Sequence, residues 1–145
     1  DTLGLGTNFT LQCSDIDTKV LATAAAGIYK AENVKGLSAD HLRNYFLKGK
    51  GGNSGYVRVK SELQKHMDFF TVNLIQDNWP FKEPFDVVFC RNVMIYFDAS
   101  TQRRVLEKIH RNMKPGGLLF VGHAENFTDA KTLFALKGKT VYERI

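Results

Sequence analysis

The stretch Phe85-Asp86-Val87-Val88-Phe89-Cys90 constrains this chain more than any other. It is apolar except for Asp86, too short for a helix of its own, and rich in β-branched and aromatic residues. It therefore reads as a strand buried on both faces, central in a parallel sheet. At its carboxyl end the composition switches to Arg91-Asn92, with Tyr96 four residues further on. Open α/β sheets bind ligands in the crevice beyond the carboxyl ends of their strands, which makes Arg91, Asn92 and Tyr96 candidate site residues. The competing reading is that Arg91 and Asn92 only cap the next helix.

With 145 residues, 43% of them hydrophobic, the chain is sized for one compact α/β domain. No apolar run approaches a membrane span and no signal segment opens the sequence, so a cytoplasmic protein without membrane insertion is expected. Asp1 to Asn8 has no initiator Met and carries Gly4 and Gly6, reading as a helix tail and turn from inside a longer protein. Gly4-Leu5-Gly6 lacks the preceding strand and third glycine of a dinucleotide fingerprint. Cys13 and Cys90 fall in expected strands without metal-ligand spacing and read as free buried thiols. The formal charge of +5 suits an acidic partner, but a solvated basic surface accounts for it equally.

Phe9 to Ser14 alternates apolar and polar residues and ends at Asp15. A carboxylate at such a strand end offers two acceptors to the adjacent hydroxyls of a ribose. Asp15 as a helix N-cap is the alternative, although Asp17 or Thr18 would serve equally well. Thr18 to Ala26 and Ser38 to Leu47 read as helices. Between the second of these and Glu62 lie a glycine-rich loop, Lys48 to Gly55, and an alternating strand, Tyr56 to Lys60. They read as a small antiparallel insertion over 48–66, with 1–47 and 67–145 forming the core. The glycines free backbone groups and Lys48, Lys50, Arg58 and Lys60 gather positive charge, a platform for adding an acidic peptide as a strand. A decorated linker is the plainer alternative.

A third strand is expected at Asp68 to Leu74, ending in Asn73-Leu74, where an amide and a backbone group can read a purine edge; Asn73 is equally a routine turn residue. Trp79 reads as packing. After Asp98-Ala99-Ser100-Thr101, an apolar stripe of Val105, Leu106, Ile109 and Met113 marks a helix. Lys114-Pro115-Gly116-Gly117 ends it and launches a strand at Leu118 to Val121, and a hairpin about Lys137-Gly138-Lys139 closes the chain. His123 and Glu125 form a conceivable metal pair without a third ligand; a structural loop is the simpler reading, and no metal is expected.

Three motifs in this order, Phe-Cys-Arg-Asn-Val-Met-Ile-Tyr-Phe at 89–97, Lys114-Pro115-Gly116-Gly117-Leu118-Leu119-Phe120 and Gly122-His123-Ala124-Glu125-Asn126-Phe127, resemble the chemoreceptor glutamate methyltransferase family (CheR). Ser14-Asp15-Ile16-Asp17-Thr18 and the glycine-rich stretch from Lys48 to Lys60 extend the resemblance over nearly the whole chain. It implies a Rossmann-like sheet and a transfer of methyl from S-adenosylmethionine to receptor glutamates, with S-adenosylhomocysteine as product. It further implies that Asp15, Asn73, Leu74, Arg91 and Asn92 bind the cofactor and that Arg91 and Tyr96 lie at the methyl-transfer end. Lys48, Gly49, Gly51 and Arg58 would belong to the subdomain that binds the receptor's C-terminal tail. The family's helical N-terminal domain, first strand and acidic loop would lie upstream of Asp1. That first strand sits between the second and fourth, so two interior edges should stand open here. We expect the gap to be filled by another chain, a swapped element or a nonstandard strand order, and the 145 residues alone to be inactive.

A class I methyltransferase-like domain for another acceptor, nucleic acid included, is a second reading. Arg91-Asn92-Val93-Met94 replaces the Asn-Pro-Pro-Tyr common in base-amine methylation, which lowers it, and no nucleic-acid partner is expected. An incomplete core acting only as a receptor-tail binding module is a third.

Overall fold

A computed structural model of the chain describes residues 9–125, 127 and 130–145. The expected helix tail and turn at 1–8, and Asn126 of the Gly122 to Phe127 motif, lie outside the described residues. The chain divides into two compact units, one ending at Asn73 and the other running from Leu74 to Ile145.

In the first unit β1 (Leu11–Asp15) runs parallel to β5 (Met67–Thr71), with Cys13 opposite Phe69 and Asp15 opposite Thr71. Helix α1 (Thr18–Ala26) follows β1, N-capped by Asp17 and closed at Gly27, whose φ of 64° is the left-handed geometry of a helix C-cap. Between α1 and β5 stands an antiparallel sheet of order β2-β4-β3, made of Ile28–Lys30, Phe46–Lys48 and Tyr56–Val59 as β2, β3 and β4. Helix α2 (Ala39–Tyr45) lies between β2 and β3 in sequence, and α3 (Ser61–Gln64) follows β4. The sheet therefore reaches beyond the 48–66 insertion read from sequence. Phe46 and Leu47, expected in a helix, are strand residues because pairing with Val59 and Arg58 outweighs helical spacing at a helix end.

The second unit holds a sheet of order β6-β7-β9-β8: β6 is Phe85–Cys90, β7 Met113–Val121, β8 Phe134–Gly138 and β9 Val141–Arg144. β6 and β7 are parallel, and β9 is antiparallel to both β7 and β8. Helix α4 (Ala99–Arg111) connects β6 to β7. Its Val105, Leu106 and Ile109 pack with Met94, Met113, Leu119, Val121 and Tyr142 in the core. β7 begins at Met113, earlier than expected, and a register irregularity opposite Phe85 and Val87 absorbs the Lys114-Pro115-Gly116-Gly117 segment.

Among the described residues β6 pairs only with β7, and β1 only with β5. Val87 and Phe89 are 44% and 68% exposed. This corrects the reading of β6 as buried on both faces: its apolar composition anticipates a neighbour that these described residues do not provide.

Candidate functional site

At the carboxyl end of β1, Asp15 Oδ1 accepts the Asp17 N–H at 2.9 Å, while Asp17 caps α1 by accepting the Lys19 N–H at 2.8 Å. Capping is thus done by Asp17, and Asp15 stands exposed ahead of the helix. The Val72 N–H donates to the Asp15 carbonyl at 3.0 Å, and Asn73 follows directly. Because the two strands are parallel and in register, Asp15 and Asn73 emerge from the same end of the pair.

The second unit holds Leu74, Arg91, Asn92 and Tyr96. Arg91 and Asn92 are exposed beyond β6 and do not cap α4; that task falls to Asp98, which accepts the Thr101 N–H at 2.7 Å. Asn92 adopts a left-handed φ of 59°, the one non-glycine residue to do so among those described, and asparagine tolerates this geometry better than most. A short 3₁₀ turn over Met94–Tyr96 follows, with Met94 fully buried and Tyr96 81% exposed. The loop is pinned at Met94 and presents Arg91, Asn92 and Tyr96 outward.

Two buried charged side chains hold the loops that carry these residues, and sequence reasoning assigned neither that task. Lys108 Nζ donates to the carbonyls of Leu74, Ile75 and Gln76 at 3.2, 2.7 and 2.8 Å. Its position three residues after Val105 placed it on the apolar side of α4, a signal legible in the spacing. Glu125 accepts from the backbone N–H groups of Asn92, Val93, Met94 and Gly122. With both oxygens so engaged, it is a loop anchor rather than half of a metal pair with the exposed His123. Among the described residues no group of three or more His, Cys, Asp or Glu is placed to hold a metal, and no helix is long and apolar enough to cross a membrane. Burial, with the Glu125 carboxylate adding to it, pushes the Cys90 thiol up to about 12, and burial also raises Cys13. Cys90 is thereby kept neutral and unreactive.

On the antiparallel sheet, Ile28, Arg58 and Leu47 are cross-strand neighbours, and Lys30 and Tyr56 lie on the same exposed face. Lys48 sits opposite Val57, on the other face, so Lys48 and Arg58 do not act as one patch. Lys60 Nζ is engaged with the Arg43 carbonyl at 2.9 Å. β4, which carries Arg58, is paired on both sides, and the open edges of this sheet belong to β2 and β3. Gly49 donates its N–H to the Tyr56 carbonyl at 2.9 Å, closing the turn, whereas Gly51 lies in the short 3₁₀ turn that follows with a φ of 57°.

Taken unit by unit, the first offers a carboxylate and an amide at one end of its parallel strand pair, and the second an arginine and an asparagine beyond β6. Comparison with known proteins bears on that donor set. The CheR methyltransferase SAM-binding domain matches residues 3–142. A chemotaxis protein methyltransferase of Escherichia coli K12 is 46% identical over 143 residues, covering 98% of this chain and 50% of that protein. One from Klebsiella aerogenes is 50% identical over 129 residues, covering 89% and 44%. The chain thus spans about half the length of these relatives. Among solved structures, the N-methyltransferase NodS of Bradyrhizobium japonicum WM9 in complex with S-adenosyl-L-homocysteine aligns with a TM-score of 0.56 at 13% identity, over 93% of this chain and 66% of that one. That likeness is one of fold, a Rossmann-like sheet of the S-adenosylmethionine-dependent methyltransferases.

Proposed function

Because the chain belongs to the CheR methyltransferase family, whose SAM-binding domain it carries, we propose that the protein methylates glutamate side chains of chemoreceptors in the cytoplasm. The observation that carries this reading is the family match across residues 3–142, supported by polar side chains at the carboxyl ends of β1, β5 and β6. S-adenosylmethionine supplies an electrophilic methyl group. The acceptor needs no general base, since a carboxylate with an ordinary pKa of about 4.3 is already an anion at neutral pH. The protein's contribution is alignment and exclusion of water, effects that together remove about 7–11 kcal/mol of barrier when the geometry is a near-attack one.

In this reading Asp15 accepts from the ribose hydroxyls, Asn73 and Leu74 meet the adenine, and Arg91 and Asn92 hold the cofactor at the end of β6. Tyr96, exposed beside them in sequence, positions the reacting groups, with Arg91 at the same end. The antiparallel sheet docks the receptor's C-terminal tail. Support comes from an exposed face pairing Arg58 with apolar Ile28, Leu47 and Tyr56, which suits an acidic peptide bearing an aromatic residue. The open edge of β2 or β3 suits strand addition. Among the described residues β1 pairs only with β5 and β6 only with β7, which supports completion of the core by further strands, from outside the described residues or from another chain.

Titrating S-adenosylhomocysteine into the full-length protein tests the site. Asp15→Ala should weaken binding by about 1.5–3 kcal/mol, the range for a hydrogen bond to a charged group. Equal affinity in the variant removes Asp15 from the site, and no binding by the parent protein rejects the reading altogether.

A further inference from the structure

Glu125 is 4% exposed and lies just beyond β7. Its Oε1 accepts from the N–H groups of Val93 and Met94 at 2.9 and 2.8 Å, and its Oε2 from those of Asn92 and Gly122 at 3.1 and 2.5 Å. Three consecutive amides of the loop after β6 thus converge on one carboxylate, with a fourth from the end of β7. Successive N–H groups in such a concave arrangement form an anion-binding nest, and here the anion is built into the chain. The fit is close, since a Cβ at Gly122 would stand 2.8 Å from Oε2 and 2.5 Å from Asn92 Oδ1. The same carboxylate contributes to the raised pKa of the neighbouring buried Cys90 thiol. Only Lys108 joins Glu125 as a buried charged residue among those described.

A neutral side chain of similar shape would not satisfy this socket. Four donors require four acceptor sites, which a carboxylate has and an amide lacks, because half of the amide is itself a donor. Val93 also packs against the core, and Gln102 Nε2 donates to the Met94 carbonyl at 2.9 Å, but among the described residues Glu125 is the side chain that takes the N–H groups of Asn92, Val93 and Met94.

We propose that Glu125 is the positioning residue of the cofactor loop, its carboxylate setting the backbone of Asn92 to Met94 and through it the directions of Arg91, Asn92 and Tyr96. The assignment rests on the reading of those three residues as cofactor-binding and methyl-transfer groups. It carries a chemical corollary: with the side chain cut back, the vacated socket should accept a small carboxylate from solution.

The test uses the full-length protein with Glu125→Ala and Glu125→Gln, reading S-adenosylhomocysteine affinity and amide hydrogen exchange at Asn92, Val93 and Met94. Both variants are expected to bind at least tenfold more weakly and to exchange these amides faster. Added sodium formate should restore affinity and slow exchange in Glu125→Ala, while sodium chloride at equal ionic strength should not. Glu125→Gln, its socket already filled, should not respond to formate, and it also stands in should the alanine variant fail to fold. Parent-like affinity and exchange in both variants would overturn the proposal. So would uniformly faster exchange across the whole unit, which marks a general packing role. If the parent protein itself fails to bind S-adenosylhomocysteine, the functional reading fails, and the exchange data at residues 92–94 still decide whether Glu125 sets this loop.

Discussion

The ammonium of Lys108 lies 3.2 Å from the carbonyl oxygen of Leu74, reaching from the last turn of α4 to the segment that follows β5 in sequence. Its three N–H bonds are matched by three consecutive carbonyls, those of Leu74, Ile75 and Gln76. Asp77, 3.2 Å from the same nitrogen, is 94% exposed and adds little. Lys108→Met should therefore lower unfolding stability by about 1.5–3 kcal/mol, the range for hydrogen bonds to a charged group. Asp77→Ala should cost no more than about 1 kcal/mol, as exposed ion pairs do. Urea denaturation of the two variants checks the ordering, and equal losses would contradict it.

Gly49 is the tightest point of the turn joining β3 to β4, where an added Cβ would collide with the Asn53 carbonyl oxygen. Gly49→Ala should consequently disturb the hydrogen bond from Gly49 to Tyr56 and reduce affinity for an acidic receptor-tail peptide. Gly52→Ala, with open space around it, should not. Arg58→Ala should also weaken the peptide, and what binding remains should depend less on salt, since one screened charge contact is gone. Fluorescence anisotropy with a labelled peptide at two ionic strengths measures all three variants.

Acid sensitivity has an identifiable contributor at the start of α4. The Thr101 N–H, with further hydrogen bonds from the Thr101 and Ser100 side chains, holds the Asp98 carboxyl below its ordinary 3.8. A carboxyl whose pKa is depressed on folding adds stability that is complete above its unfolded pKa and is lost as pH falls through the folded one. Asp98→Asn keeps a competent N-cap without a titrating group. Its stability should resemble that of the parent at pH 7 and fall less steeply as pH drops below about 4, the ordinary carboxyl range. Thermal melts across that window would show it. A parallel slope would shift the effect elsewhere, for instance to Asp86, which its hydrogen bond from Lys114 lowers in the same sense.

Among the described residues β1 and β6 each pair on one side only, which predicts the behaviour of these 145 residues expressed alone. Strand edges with free N–H and C=O groups beside exposed Val87 and Phe89 are templates for association. The fragment should self-associate and show no methyl transfer to receptor. A compact monomer in solution scattering, or radiolabelled methyl transfer by the fragment, would contradict this.

The parts legible in the sequence were those governed by local periodicity. β6 occupies the run that was read as a strand, α4 follows its apolar stripe, and Asp17 rather than Asp15 proved to be the cap. The antiparallel sheet was less legible. β2 is three residues long and owes its existence to pairing with β4, a non-local cause that no short window contains. Exposure of Val87 and Phe89 was likewise hidden, because composition records what a strand is suited to meet rather than what stands beside it. At the site, the exposed polar residues at strand ends could be nominated from the pattern. Glu125 could not be assigned its role, since three of the four amides it holds lie more than thirty positions earlier in the chain.

The three short strands between α1 and β5 bond to one another, while β1 and β5 keep their own direct register from Leu11–Met67 to Asp15–Thr71. Loop length and surface chemistry in the small sheet are therefore decoupled from the strand pair that presents Asp15 and Asn73. Under the docking reading proposed above, substitutions at Arg58 or in the Gly49 to Gly55 turn would alter what the small sheet recognises while leaving the register of β1 on β5 as it is.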